Sequence, residues 1–430
     1  MPRPPAQLRA LPLALAASFA FSVHAHDTLH EVVVTAPPMA APLTVITNPR
    51  APRQPVPAHD GADYLKNIPG FAVIRKGGTD GDPVFRGMAA SRLGILLDGE
   101  MILGGCGMRM DPPTAYVFPE AFDRITVLKG PQTVKYGPGN SAGVVLFERE
   151  PKVRKSFSAD AEGSLLAGSY GRNDQVMKAG LGNESYYGEI TGTHSHSQDY
   201  KDGSGRQVHS RYDRWSVNGA IGLTPDENTR IELSFAKSDG HAAYADRSMD
   251  GTAFDRTNVG LKFEKSRISP LLARLEGQIY RNYVDHVMDN YSLRTVAGMK
   301  MVSNPDRETK GGRMAATLEL SSRSALETGI DFQTNDHSLR KASGAEVNAY
   351  DSLARSPDMR FQTWGVFSEL THELNAAHRL IGGARLDWNE AEDQRSGKTT
   401  SGRSDKDTLK AGFLRWENAF TPTTTLYAGL

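Results

Sequence analysis

The chain has 430 residues, with 50 Lys and Arg against 50 Asp and Glu, so its formal net charge is zero. That balance excludes the basic surface of a nucleic-acid binder and the single-sign tail of a charged interaction segment. The length allows two or three ordinary domains, and Cys106, the one cysteine, leaves the chain without an internal disulfide.

Residues 1–25 read as a secretory signal peptide. Arg3 and Arg9 supply positive charge, residues 11–21 an apolar core, and Val23-His24-Ala25 a small-residue cleavage pattern. The apolar stretch is too short for a bilayer span, which needs about 20 residues. The mature chain is therefore expected to start at His26, beyond the inner membrane.

Residues 26–57 are rich in Pro and Ala and should form an extended, mobile linker. Glu31-Val32-Val33-Val34-Thr35 lies within it. Its β-branched residues favour a strand, yet the linker offers no partner strand, an arrangement suited to strand addition by another protein.

Residues 58–153 read as a compact mixed domain. A short helix is expected over residues 63–68, stopped by Pro69-Gly70. Strand-like pieces follow at residues 71–75, 92–97, 124–129 and 143–147, joined by Gly-rich turns.

Residues 154–430 show about twelve strands of roughly ten residues or more, alternating as barrel walls do, with one more beginning at Thr423. Short turns at residues 182–184, 224–228, 266–270, 321–324, 375–377 and 421–423 alternate with longer polar loops. Those loops are expected near residues 199–210, 240–252, 290–311, 335–358 and 393–407. This asymmetry is that of an outer-membrane barrel.

Several motifs give these zones a family resemblance. Phe85-Arg86-Gly87-Met88 followed by Ile95-Leu96-Leu97-Asp98-Gly99 resembles the "RG…LLDG" signature of TonB-dependent receptor plugs. Residues 124–131 and the glycine-rich turn and strand at residues 136–145 are similar to the rest of that plug, and residues 31–36 resemble a TonB box. The resemblance implies a mixed α/β plug inside the lumen of an antiparallel membrane β-barrel of about 22 strands. It places the chain in the outer membrane of a Gram-negative bacterium, with TonB and its inner-membrane energising complex as partners. Because the chain stops at Leu430, inside a strand, the barrel is expected to be C-terminally incomplete. No enzyme is expected. His-Glu-x-x-His is absent, and Ser396-Gly397-Lys398-Thr399 lacks the leading glycine of a phosphate loop, Glu392 standing there instead.

The cargo is read from sulfur. Gly104-Gly105-Cys106-Gly107-Met108-Arg109-Met110 gathers one thiol and two thioethers, soft ligands that favour Cu(I). Buried Cys and gap-filling Met account equally well for that loop alone. Residues 274–280 alternate polar at even positions and apolar at odd ones, so even residues should face the lumen. Continued, that register brings His286 and Met288 to the lumen side with Val287 facing away.

The pairing of Cys-x-x-x-Met with His-x-Met resembles the copper receptors of the OprC/NosA type. It implies Cys106, Met110, His286 and Met288 as copper ligands, copper being the transported substrate, with no organic cofactor. Met108 stays open as a further candidate, and Met299 and Met301 as a capture point or ordinary loop methionines. An iron-siderophore, haem or cobalamin receptor is the alternative cargo reading.

Overall fold

The structure, a computed structural model, describes residues 39–51, 56–421 and 423–430. The signal peptide and the Glu31 to Thr35 segment lie outside the described residues.

The plug contributes eight strands: β1 Met39–Ala41, β2 Thr44–Thr47, β3 Phe71–Ile74, β4 Asp82–Phe85, β5 Leu93–Leu97, β6 Glu100–Met101, β7 Arg124–Lys129 and β8 Gly143–Glu148. Six of them form one sheet in the order β1-β2-β7-β8-β5-β6. Within it β5 and β8 run parallel and the other neighbours antiparallel. β3 and β4 pair as a separate hairpin. The Pro/Ala-rich stretch expected to be linker through residue 57 thus supplies two strands, because Thr44 to Thr47 find a partner in β7. The helix is earlier and shorter than expected. It is α1, Gly61–Leu65, and Asp60 caps it by accepting from the Asp63 N–H at 2.7 Å.

Turn chemistry explains the sequence signature. Arg86 (φ 51°) and Gly87 (φ 79°) reverse the chain between Phe85 and Met88, whose backbones exchange hydrogen bonds of 2.8 and 2.9 Å. Asp98 (φ 52°) and Gly99 (φ 83°) do the same between β5 and β6. Two successive positive φ values define a type I′ reversal, which glycine adopts without strain. Gly139-Asn140-Ser141-Ala142-Gly143 has the spacing of a hydrolase elbow. It leads into β8 rather than a helix, so Ser141 is a turn residue and not a nucleophile.

Thirteen strands follow as an antiparallel meander in sequence order. They are β9 Ser158–Ala167, β10 Asn173–Gly182, β11 Tyr186–Ser197, β12 Tyr212–Asp226, β13 Thr229–Ala242, β14 Asp250–Ser266, β15 Leu272–Asp289, β16 Met301–Ser321, β17 Ser324–Ser343, β18 Ser356–Glu373, β19 His378–Asp393, β20 Ser404–Thr421 and β21 Thr424–Gly429. Two of the expected loops are shorter than their sequence suggested. β16 begins at Met301 and β17 continues to Ser343, so 21 and 20 residues pair where crossing a bilayer takes about 9–11. Their polar outer ends read as loop in the sequence, yet the backbone stays paired because each strand has a neighbour on both sides.

Outward residues of the middle strands form an exposed apolar belt that includes Ile221, Leu233, Phe235, Val259, Leu261, Ile279, Met314 and Ile330. Inward residues meet the plug. Asn258 donates to Glu100 at 2.7 Å, Lys135 to Glu327 at 2.9 Å, and the Thr133 hydroxyl to Glu369 at 2.8 Å. Arg214 reaches both the Thr79 hydroxyl (2.7 Å) and the Val117 carbonyl (3.0 Å).

Arg385 on β19 is the largest fully buried side chain. It donates to Asp331 at 2.8 and 2.7 Å, to Asp387 at 2.8 Å, and to the plug carbonyl of Val134 at 3.3 Å. Arg385→Met removes the one cation between two carboxylates. The expected loss is about 3–5 kcal/mol, the cost of leaving buried charge uncompensated. Thermal unfolding in detergent checks it, and an unchanged melting temperature would show that the cluster carries no stability.

Candidate functional site

The loop 104–111 joins β6 to the rest of the plug, and much of its backbone is held by hydrogen bonds. The Asp111 carboxylate, buried, accepts from the N–H of Gly105 (2.6 Å), the N–H of Cys106 (2.9 Å) and the Tyr116 hydroxyl (2.8 Å). A Cβ at Gly104 would stand 1.8 Å from the Asp111 carbonyl oxygen, so only glycine lets the loop close on itself. The Arg109 N–H returns to the Cys106 carbonyl at 2.9 Å, closing a turn over residues 106–109. Arg109 sits in the left-handed region (φ 54°) and is held there by an ion pair to Asp82 at 2.6 and 2.8 Å.

The barrel takes hold of the same loop from outside. Tyr244 donates to the Met110 carbonyl at 2.9 Å, and His337 Nε2 contacts the Gly105 carbonyl at 2.7 Å while its Nδ1 meets Asp358 at 2.6 Å. Lys76 of the plug donates to the Arg109 carbonyl. Nothing local in the sequence marks these clamps. Asp111 is adjacent to Met110 and could have been suspected, whereas His337, Tyr244 and Lys76 are defined only by the tertiary structure.

The barrel side is set by β15. Its even residues face inward. Gln278 donates to the Asp98 carbonyl at 3.2 Å, and Tyr280 accepts from the Met101 N–H at 3.3 Å. The register holds to the end of the strand, with a β-bulge falling on β14 between Gly251 and Ala253. His286 is completely buried and Met288 is 6 % exposed.

Two observations concern ligand chemistry. First, the Cys106 thiol donates to the Met288 thioether sulfur at 3.6 Å, with Met110 in the same buried apolar cluster. Second, His286 Nδ1 lies 2.8 Å from the Ala253 carbonyl, which can only accept, so Nδ1 carries a hydrogen and, in the neutral ring, Nε2 presents a lone pair. That Nε2 is shielded from solvent and has no hydrogen-bond partner. An orphaned buried acceptor is costly unless something fills it. The ring packs against Phe254, with centroids 4.6 Å apart.

Met108 is 74 % exposed and Met299 61 % exposed, so both stand outside this buried set, and Met301 is the exposed first residue of β16. His194 and His196 both pair with Asp213, at 3.3 and 3.1 Å, on a partly exposed face. Among the described residues no cluster of three or more His, Cys, Asp or Glu side chains could hold a metal.

The fold and loop find counterparts among known proteins. Residues 38–144 match the TonB-dependent Receptor Plug Domain, and residues 190–430 the TonB dependent receptor-like beta-barrel. The chain belongs to the TonB-dependent receptors, a family of outer-membrane proteins and not enzymes. It is similar to the copper transporter OprC, with 48 % identity and a TM-score of 0.89 over 92 % of this chain and 63 % of that one. The unliganded ferric citrate transporter FecA shares the fold at 16 % identity and a TM-score of 0.69, over 90 % of this chain and 62 % of its own. The Ferrienterobactin receptor of Escherichia coli (strain K12) is 20 % identical over 91 % of this chain and 61 % of its own length. The chain thus spans about three fifths of the length of these relatives.

Burial, and after it the nearby Asp111 carboxylate, pushes the Cys106 thiol above its ordinary range. Iodoacetamide alkylation of Cys106 should therefore be slow at neutral pH and rise with a midpoint above that of a free thiol. Asp111→Asn removes one source of the upward shift and should lower that midpoint. A wild-type midpoint at or below the free-thiol value would contradict this electrostatic account.

Proposed function

We propose that this chain acts in TonB-dependent import of copper across the outer membrane, with Cys106, Met110, His286 and Met288 as the ligands between plug loop and barrel wall. The observation that carries the reading is the unpartnered, buried Nε2 of His286 in a region that also buries the Cys106–Met288 sulfur pair. The 48 % identity to a copper transporter supports it.

The donor chemistry agrees. One thiol, two thioethers and one imidazole make a soft set suited to Cu(I) and poorly suited to hard cations. The thiol must lose its proton to become the anionic ligand, so capture releases a proton and strengthens as pH rises. Asp111, which opposes that loss, also holds the N–H groups of Gly105 and Cys106, trading thiol acidity for a fixed loop. A metal joining Cys106 to His286 and Met288 ties the plug to the barrel, so occupancy bears on plug position.

Energy enters from the periplasm. TonB adds a strand to Glu31-Val32-Val33-Val34-Thr35 through backbone hydrogen bonds. A pull there is passed along the chain toward β1 and β2, the edge of the plug sheet.

Two measurements test this function. Copper content after growth in copper-supplemented medium should be one ion per wild-type chain and near zero for Cys106→Ala, with Met288→Leu weakened less; stoichiometric copper in the Cys106→Ala protein sinks the assignment. Val33→Pro removes a ladder donor and fixes φ. It should stop copper uptake and leave copper binding intact, and unchanged uptake rules out the coupling segment.

A further inference from the structure

A cavity of about 530 Å³ lies between the plug and β15 to β18, with Cys106 among the residues that border it. A bare ion needs almost none of that space, whereas sites for small organic ligands span roughly 300–1,000 Å³. Most cations in the lining are spent on neighbours: Arg109 on Asp82, and Lys135 and Arg313 on Glu327.

Arg307 is the exception. It sits on β16 between Val284 of β15 and His337 of β17 and lines the cavity. Its Nε is shielded from solvent without a partner, and the guanidinium makes no hydrogen bond or ion pair among the described residues. Of the charged groups around it, Asp111 is the acid, and that carboxylate already accepts three hydrogen bonds and forms no ion pair with Arg307. His337 has both ring nitrogens committed, to Asp358 and to the Gly105 carbonyl.

A second unspent donor lines the same cavity. The Tyr280 hydroxyl accepts from the Met101 N–H at 3.3 Å and from Gln333 Nε2 at 3.1 Å, so its own hydrogen has no acceptor among the described residues. Tyr280 and Val284, the residue beside Arg307, lie four positions apart on one face of β15, roughly 13 Å along the strand. Arg307 and Tyr280 therefore border the same cavity at different depths along β15.

We propose that this cavity binds a small polycarboxylate chelator that delivers copper. One carboxylate pairs with Arg307 and the metal is presented toward Cys106, with the Tyr280 hydroxyl as a further donor in the same cavity. An unpaired, partly desolvated guanidinium recovers its hydration only when an anion arrives, and a carboxylate matches its fork geometry. The proposal rests on the copper reading for its cargo but not for its anion site.

Calorimetric titration of the full chain with citrate, with copper alone, with copper citrate and with inorganic phosphate separates the possibilities. Wild type should bind citrate and copper citrate. Arg307→Met should weaken both about tenfold or more, the usual worth of a charge-assisted hydrogen bond, while binding copper alone as wild type does. Tyr280→Phe should weaken citrate less. The proposal is overturned if wild type does not bind citrate, if Arg307→Met binds copper citrate normally, or if phosphate competes as well as citrate. An equal loss of bare copper in Arg307→Met also overturns it, since Arg307 would then serve the metal loop. Citrate binding without copper binding in wild type would instead overturn the copper reading and leave the carboxylate site standing.

Discussion

The strict two-residue period of β15 from Arg274 to Met288 is the constraint on which the candidate site depends. Side chains along a strand alternate faces, and a slip of one residue would exchange every inward group for an outward one. From Gln278, hydrogen-bonded to the plug, to Met288, in contact with Cys106, no slip occurs. The irregularity needed to fit the neighbouring strand is taken up by β14. Gln278, Tyr280, Val284, His286 and Met288 consequently form one inward row, and plug turn, cavity wall and sulfur pair are all read off it.

That row was legible in the sequence because Arg274 to Tyr280 alternate cleanly between polar and apolar. The plug was legible for a different reason. Arg86-Gly87 and Asp98-Gly99 are reversals whose backbone angles are specified by adjacent residues, so a short motif carries the geometry. What could not be read depends on distant partners. β1 and β2 exist because β7 is available, and the outer halves of β16 and β17 are strand because each is flanked on both sides. The outer ends of β16 and β17 are polar, and Pro305 lies within β16, so their composition alone points to loop. The clamps on the Cys106 loop belong to the same class. His337 lies 232 residues from the carbonyl it meets, and no local pattern announces such a contact.

The site also divides its labour between two kinds of group. Asp111, Lys76, Tyr244 and His337 spend their hydrogen-bonding capacity on the backbone of residues 105–110. The side chains of Cys106, Met110, His286 and Met288 are left with soft or unfilled valence. Preorganisation of this kind reduces the ordering that a ligand would otherwise have to impose. It also makes the loop hard to displace without disturbing both plug and wall.

The seclusion of Cys106 has a consequence for biogenesis. A lone sulfhydryl exported into an oxidising compartment is exposed to mixed-disulfide formation and to peroxide. Both reactions proceed through the ionised form. Once the loop has closed, Cys106 is buried, protonated in preference to ionised, and turned toward a neighbouring sulfur atom. Folding itself thereby confers resistance to oxidative damage, and the hazardous interval is the passage between translocation and closure of that loop.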